Sequence, residues 1–190
     1  MNLLQILRSS INAIYAKYIK NEDKLIDIGT GAGFPGIPLK VINKDIHITL
    51  MDSLNKRINF LNEVINKLSL ENINAIHSRA EDLARNKDYR EMYDVAVSRA
   101  VANLSTLSEY MLPFVKVGGK CICMKGPNID EELENAKGAI TKLGGRIKYI
   151  DNFKLGNTEN ERNIIVIEKI KETSKMFPRK AGLPSKEPLK

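Results

Sequence analysis

Two aspartates and four glycines stand where a backbone, rather than side chains, is set to meet a ligand. The stretch "LIDIGTGAGFPG", Leu25 to Gly36, places Asp27, Gly29, Gly31, Gly33 and Gly36 directly after an apolar run. Glycine loses more backbone freedom on folding than any other residue, so four within eight residues need a reason. A phosphate-cradling loop requires Lys-Ser or Lys-Thr after its last glycine, and neither follows Gly36. A dinucleotide fingerprint, Gly-x-Gly-x-x-Gly, is present as Gly31-Ala32-Gly33-Phe34-Pro35-Gly36. A third pattern, Asp-x-Gly-x-Gly-x-Gly from Asp27 to Gly33, adds a carboxylate at the end of the strand. That carboxylate repels a pyrophosphate and suits a ligand with an ammonium and a sulfonium, as S-adenosylmethionine (SAM) has. Asp52, 25 residues after Asp27, ends the second strand and is placed to accept hydrogen bonds from ribose hydroxyls. It serves either ligand; Asp27 discriminates between them.

The remaining chemistry-bearing residues follow the other strands. Ser53 is a candidate cofactor contact and N-cap of the next helix, and Ala80-Glu81 stand where an adenine would lie. The fourth strand ends in "VSRAVANL", Val97–Leu104. The Asn/Asp-Pro-Pro-aromatic motif of exocyclic-amine methylation is missing there, and Cys121 and Cys123 lack the setting of a pyrimidine-attacking nucleophile. An acceptor that is already nucleophilic remains. Guanine N7 is one: it carries an in-plane lone pair and no proton, so transfer needs alignment more than a base. Arg99 is a candidate for guanine O6 or the SAM carboxylate, and Lys125 for a phosphate or the base.

Alternating apolar strands and amphipathic helices must position these groups. Strands are expected at Lys24–Ile28, Ile46–Met51, Ile73–Ser78, Tyr93–Ser98 and Gly119–Lys125, with helices at about Pro35–Ile42, Ser53–Leu68, Leu104–Met111 and Asp130–Leu143. Arg146–Leu155 and Asn163–Ile170 leave no room for a helix between them and read as an antiparallel pair. The pattern is an α/β doubly wound sheet with a terminal antiparallel hairpin, whose ligands bind beyond the carboxyl ends of the strands. Residues 1–20 read as an amphipathic helix, 21–172 as the ligand-binding domain, and 173–190, with Pro178, Pro184 and Pro188, as an extended basic tail.

Composition narrows the partners. Net charge is +7, and residues 169–190 carry seven lysines and arginines against two glutamates. Arg179, Lys180, Lys186 and Lys190 are therefore expected on RNA phosphates. No apolar run reaches the ~20 residues of a membrane span, and no signal peptide is evident. The two cysteines, two positions apart in a strand, read as reduced thiols of a cytoplasmic protein, and with His47 and His77 isolated no metal site is expected.

The sequence resembles the RsmG (GidB) family of bacterial 16S ribosomal RNA guanine-N7 methyltransferases. The stretches "DIGTGAGFPGIPL", "MDSLNKRINFL", "LENINAIHSRAEDL", "YDVAVSRAVANL", "CMKG", "RNIIVIEKI" and "FPRKAGLPSKEPL" carry the resemblance, from Lys24 to Lys190. It implies a class I SAM-dependent methyltransferase fold of Rossmann-like type. It also implies SAM contacts at Gly29, Phe34, Ala80, Glu81 and Arg99, with Asp52 on the ribose. The implied substrate is a decoding-region guanine of 16S rRNA in the small ribosomal subunit, acted on by a monomer. About 23 residues precede the first strand, fewer than in family members, and of a His-x-x-Asp-Ser segment only Ser10 survives. The alternatives are a SAM- or RNA-binding form with little activity and an NAD-dependent oxidoreductase.

Overall fold

A computed structural model describes residues 17–99, 101–154 and 161–190. The expected N-terminal helix lies, up to residue 16, outside the described residues. Seven strands form one sheet in the order β3-β2-β1-β4-β5-β7-β6. They are β1 (Lys24–Ile28), β2 (His47–Asp52), β3 (Ile73–His77), β4 (Tyr93–Arg99), β5 (Val115–Lys125), β6 (Gly145–Lys154) and β7 (Glu161–Lys169). The first five run parallel, and β7 inserts antiparallel between β5 and β6. The chain reverses its direction of growth between β1 and β4, which opens a crevice at their carboxyl ends.

Successive strand side chains point to opposite faces, so each strand feeds two cores. Leu25, Leu50, Val95, Val97 and Ile122 pack with α1 (Gly36–Ile42) and α2 (Asn55–Lys67) through Leu39, Ile58 and Leu61. Ile26, Ile28, Ala96, Cys121 and Cys123 pack on the other face. They meet α4 (Leu104–Met111) and α5 (Asp130–Lys142), with the one-turn α3 (Ala80–Leu83) beside them. Both cysteines are buried and unbridged. Among the described residues no helix is long and apolar enough to cross a membrane.

Three sequence expectations shift. Helix α2 starts at Asn55 with Leu54, not Ser53, at its N-cap, because the Asp52 carboxylate takes the Leu54 amide at 3.0 Å. Strand β5 begins at Val115, before the paired glycines Gly118-Gly119 that suggested a later start. The segment after Lys171 is not extended from the body. It runs back over the molecule and forms the short helix α6 (Leu183–Lys186). Prolines and glycine hide this in the sequence, since the partners that satisfy its backbone are remote. Arg90 donates to the carbonyls of Thr173, Ser174 and Phe177, and Arg85 to that of Pro178 at 2.6 Å.

Lys169 anchors the start of that return. It is fully buried, donates to the Leu112 carbonyl and Thr173 Oγ1 at 2.6 Å each, and pairs with Glu91 at 2.9 Å. Burial pushes its ammonium below the usual lysine range, and the Glu91 carboxylate opposes that. Glu91→Ala leaves a buried cation without its counter-charge, which typically costs ~3–5 kcal/mol. Glu91 is partly exposed, so a loss near ~3 kcal/mol is expected in urea unfolding. A loss under ~1 kcal/mol, the scale of an exposed pair, would show that water already compensates Lys169.

Candidate cofactor and substrate site

The carboxyl end of β1 sets the site. Asp27, almost wholly buried, accepts from Thr30 Oγ1 at 2.7 Å and from the Gly36 amide at 2.8 Å, both through Oδ2. This folds the glycine loop around the carboxylate and ties it to the start of α1. Oδ1 is buried with no hydrogen-bond partner. Burial pushes the Asp27 carboxyl up to about 6; its bonds to Thr30 and Gly36 and the Arg99 charge oppose this, while Asp52 adds to it.

Asp52, at the end of β2, is also buried and binds the loop from the other side. Its Oδ2 accepts from the Gly31 amide at 2.9 Å, and Arg57 reaches the same oxygen at 3.1 Å. The backbone of Gly29 and Thr30 donates to the Met51 carbonyl at 2.9 and 3.1 Å. The two carboxylates and one carbonyl thus fix the loop without using its outward side. Gly31 has φ +61°, and a Cβ there would meet nothing within 4 Å. Gly33 has φ +94°, and a Cβ there would lie 2.5 Å from Ile37 Cγ1 and 2.9 Å from Leu61 Cδ2. Gly33 is therefore demanded by packing. Gly31 faces open space, which fits a ligand-contacting role.

A cleft of about 200 Å³ adjoins the loop, lined by Gly29, Ser53, Ala80, Glu81, Tyr110 and Ser185 among others. Four of the expected cofactor residues thus share one wall system. Phe34 and Arg99, which are not among the residues lining that cleft, meet each other, the guanidinium 5.4 Å from the ring centroid. Ser98 is locked inside the sheet, donating to the Ile28 carbonyl at 2.8 Å.

Other expected site residues have different partners. Glu81 is buried and accepts from the Gly182 amide at 2.8 Å. Lys125 pairs with Glu132 at 2.6 Å and donates to the Ala102 carbonyl, so it holds the loop after β4. Arg179 forms a bidentate pair with buried Glu109. Lys142 holds the Lys190 carbonyl at 2.9 Å, while the Lys180 and Lys186 side chains are exposed. Sequence reasoning missed Val101, Tyr110, Gly182 and Ser185 in the cleft. One signal was available: a carboxylate, Glu109, inside an otherwise apolar and hydroxyl-bearing helix requires a buried partner.

These residues fit SAM on the structure's own terms. An orphaned buried carboxylate oxygen matches an ammonium, and the open side of Gly31 admits a ligand against backbone. Asp52, expected on a ribose, is buried with both oxygens already bonded to protein donors. A pyrophosphate would meet the Asp27 charge instead.

Comparison with known proteins agrees. The profile of the GidB family, described as rRNA small subunit methyltransferase G, matches residues 4–165. The chain is 54% identical over 180 residues to the ribosomal RNA small subunit methyltransferase G of Clostridium perfringens strain SM101, covering 95% of this chain and 75% of that one. In fold it is similar to a SAM-dependent methyltransferase from Aquifex aeolicus, with TM-score 0.64 and 17% identity over 87% of this chain and 93% of that one. It is likewise similar to M. jannaschii TYW2 in complex with AdoMet, with TM-score 0.64 and 19% identity, covering 86% of this chain and 74% of that one.

Two predictions follow from the loop. Gly31→Ala adds only backbone strain of ~1–2 kcal/mol and intrudes on the ligand, so calorimetric SAM affinity should fall tenfold or more with a modest drop in melting temperature. Gly33→Ala adds overpacking of ~1–3 kcal/mol to the same strain, so its loss should appear first in stability. Equal stability losses and unchanged SAM affinity in both would make the loop a mere turn. The second concerns pH. If ionised Asp27 holds the SAM ammonium, SAM affinity should fall on the order of tenfold from pH 7.5 to pH 5. By linkage, Asp27 takes stability from the free protein as pH rises from 3.8 through about 6, because the folded state binds the proton more tightly. Calorimetry across this range checks the sign; affinity that rises on acidification contradicts the assignment.

Proposed function

The chain belongs to the GidB family of rRNA small subunit methyltransferases, and from that premise we infer that it methylates N7 of a guanine in the decoding region of 16S rRNA. It is a SAM-dependent rRNA methyltransferase with a class I fold. Bound SAM supplies an electrophilic methyl group on a sulfonium sulfur. The protein's residues hold that donor, present the acceptor and limit which acceptor chemistries are possible.

The observation that carries the N7 reading is how the groups near the strand ends are committed. Burial raises the Cys123 thiol to about 12 and the Cys121 thiol well above its usual range, so neither supplies a thiolate for attack on a pyrimidine. Asp52 has its oxygens engaged by backbone amides and Arg57, and Asp27 is buried with one oxygen on Thr30 and Gly36 and the other assigned to the cofactor's amino group, so neither serves as a base toward the acceptor. Arg99, a guanidinium with donors only, stands at the end of β4 against Phe34 of the glycine loop, near enough to Asp27 for its charge to act on that carboxyl. Donors suit guanine O6, and N7 needs no proton taken from it. We assign Arg99 to substrate or SAM-carboxylate positioning. Lys125 acts by holding the Ala102 loop next to Val101, which caps Gly29.

The dinucleotide alternative finds no support in this site, where the buried Asp27 carboxylate opposes a pyrophosphate. Lys180 and Lys186, exposed on the segment that reaches the cleft, are proposed phosphate contacts on a small-subunit substrate. We further propose a monomer acting in the cytoplasm, in keeping with two unbridged buried thiols.

Small subunits lacking the modification, incubated with protein and SAM, should acquire one 7-methylguanosine. Chemical cleavage at that base should map it to the decoding region. Methyl label on another atom or in another region overturns the N7 assignment. For the phosphate contacts, Lys180→Ala with Lys186→Ala should flatten the slope of log K against log salt by roughly 1.4, at ~0.7 per contact on single-stranded RNA. An unchanged slope removes both lysines from the interface.

A further inference from the structure

Helix α4 is buried nearly all round. Leu104 to Glu109 and Met111 are each shielded, including two serines, a threonine and a glutamate. A helix covered on one side by a sheet normally leaves a polar face to water. Here the C-terminal segment covers that face. Glu109, fully buried, accepts from the Arg179 amide at 2.7 Å and pairs with its guanidinium at 2.8 Å. Arg179 then reaches the Glu187 carbonyl at 2.8 Å, bracing the segment from both ends. Thr106 donates to the Pro184 carbonyl at 2.8 Å.

Between these two anchors the segment reaches the cleft. The Gly182 amide is held by Glu81, and Gly182 and Ser185 line the same cavity as Gly29, Ser53 and Ala80. Tyr110 of α4 lines it too, and Ser185 Oγ donates back to the Gly182 carbonyl at 3.0 Å. A Cβ on Gly182 would meet nothing within 4 Å, so the segment leaves free space beside it.

We propose that Arg179–Lys186 forms the outer wall of the SAM site at its adenine end, with the Glu109–Arg179 pair as the positioning contact that seats it and Glu81 as its link to the cofactor floor. This rests on SAM as the occupant of the cleft. The segment is then part of cofactor recognition, whatever its outward lysines do with RNA. The bidentate fork matters, because a single-point cation does not fix both the amide and the guanidinium of one residue on one carboxylate.

Ser185→Trp places bulk into the cleft from an exposed position. It should weaken calorimetric SAM affinity at least tenfold with an unchanged melting temperature. Met176→Trp, on the same segment but away from the cleft, should bind SAM as the wild type does. Arg179→Lys keeps the charge on Glu109 and loses the fork, so SAM affinity should fall several-fold. In the wild-type protein, amide exchange at residues 180–187 should slow when SAM is added; this reading holds even if a variant folds poorly. Wild-type SAM affinity in Ser185→Trp, or exchange at 180–187 indifferent to SAM, overturns the wall while leaving the methyltransferase reading intact. Failure of the wild-type chain to bind SAM at all overturns both.

Discussion

One carboxylate, buried at the end of the central strand β1, organises the active end of this protein. Asp27 spends one oxygen on Thr30 and Gly36, which closes the glycine loop and aims α1. The other oxygen is left buried without a partner. Orphaned buried acceptors are costly, of order 1–3 kcal/mol, and persist where a ligand completes them. The neighbours are arranged around that deficit. Asp52 and the Met51 carbonyl hold the loop from β2, while Ser98 ties the end of β4 to β1. The switch in strand order supplies the crevice, and the buried charge supplies the preference for a cationic cofactor over a pyrophosphate.

The remaining devices keep that crevice shaped. Lys125, Glu132 and the Ala102 carbonyl fix the loop after β4, and Val101 from that loop sits against Gly29. The C-terminal segment closes the far side of α4 through an internal ion pair rather than an apolar contact. A buried pair is weak evidence for net stability. Its value here is placement: Arg179 fixes where Gly182 and Ser185 stand relative to Ala80 and Glu81.

Much of this was legible in the sequence because it is local. Short apolar runs marked the strands, and α4 fell at Leu104–Met111 as expected. The Asp-x-Gly-x-Gly-x-Gly spacing located the loop and the buried carboxylate it folds around. What stayed hidden was non-local. Glu81 was legible as a cleft residue from its position after β3, but its bond to the Gly182 amide, 101 residues away, was not. Lys125 was a candidate for a phosphate or the base, and its pairing with Glu132 on the first turn of the next helix was not legible. The basic tail looked extended because proline and glycine set local expectations, while its backbone is satisfied by Arg85, Arg90 and Glu109. Ser53 was displaced from its N-cap because Asp52, one residue earlier, holds the Leu54 amide.

The central claim is that the unpaired Asp27 oxygen is one half of a contact completed by the cofactor's amino group. A crystal structure with S-adenosylhomocysteine tests it directly, because that product keeps the ammonium and the ribose. The account predicts the ligand's amino group engaged by Asp27 Oδ1, directly or through one ordered water, with the ribose hydroxyls on Asp52. A complex in which that oxygen stays unpartnered and the amino group faces solvent would contradict it.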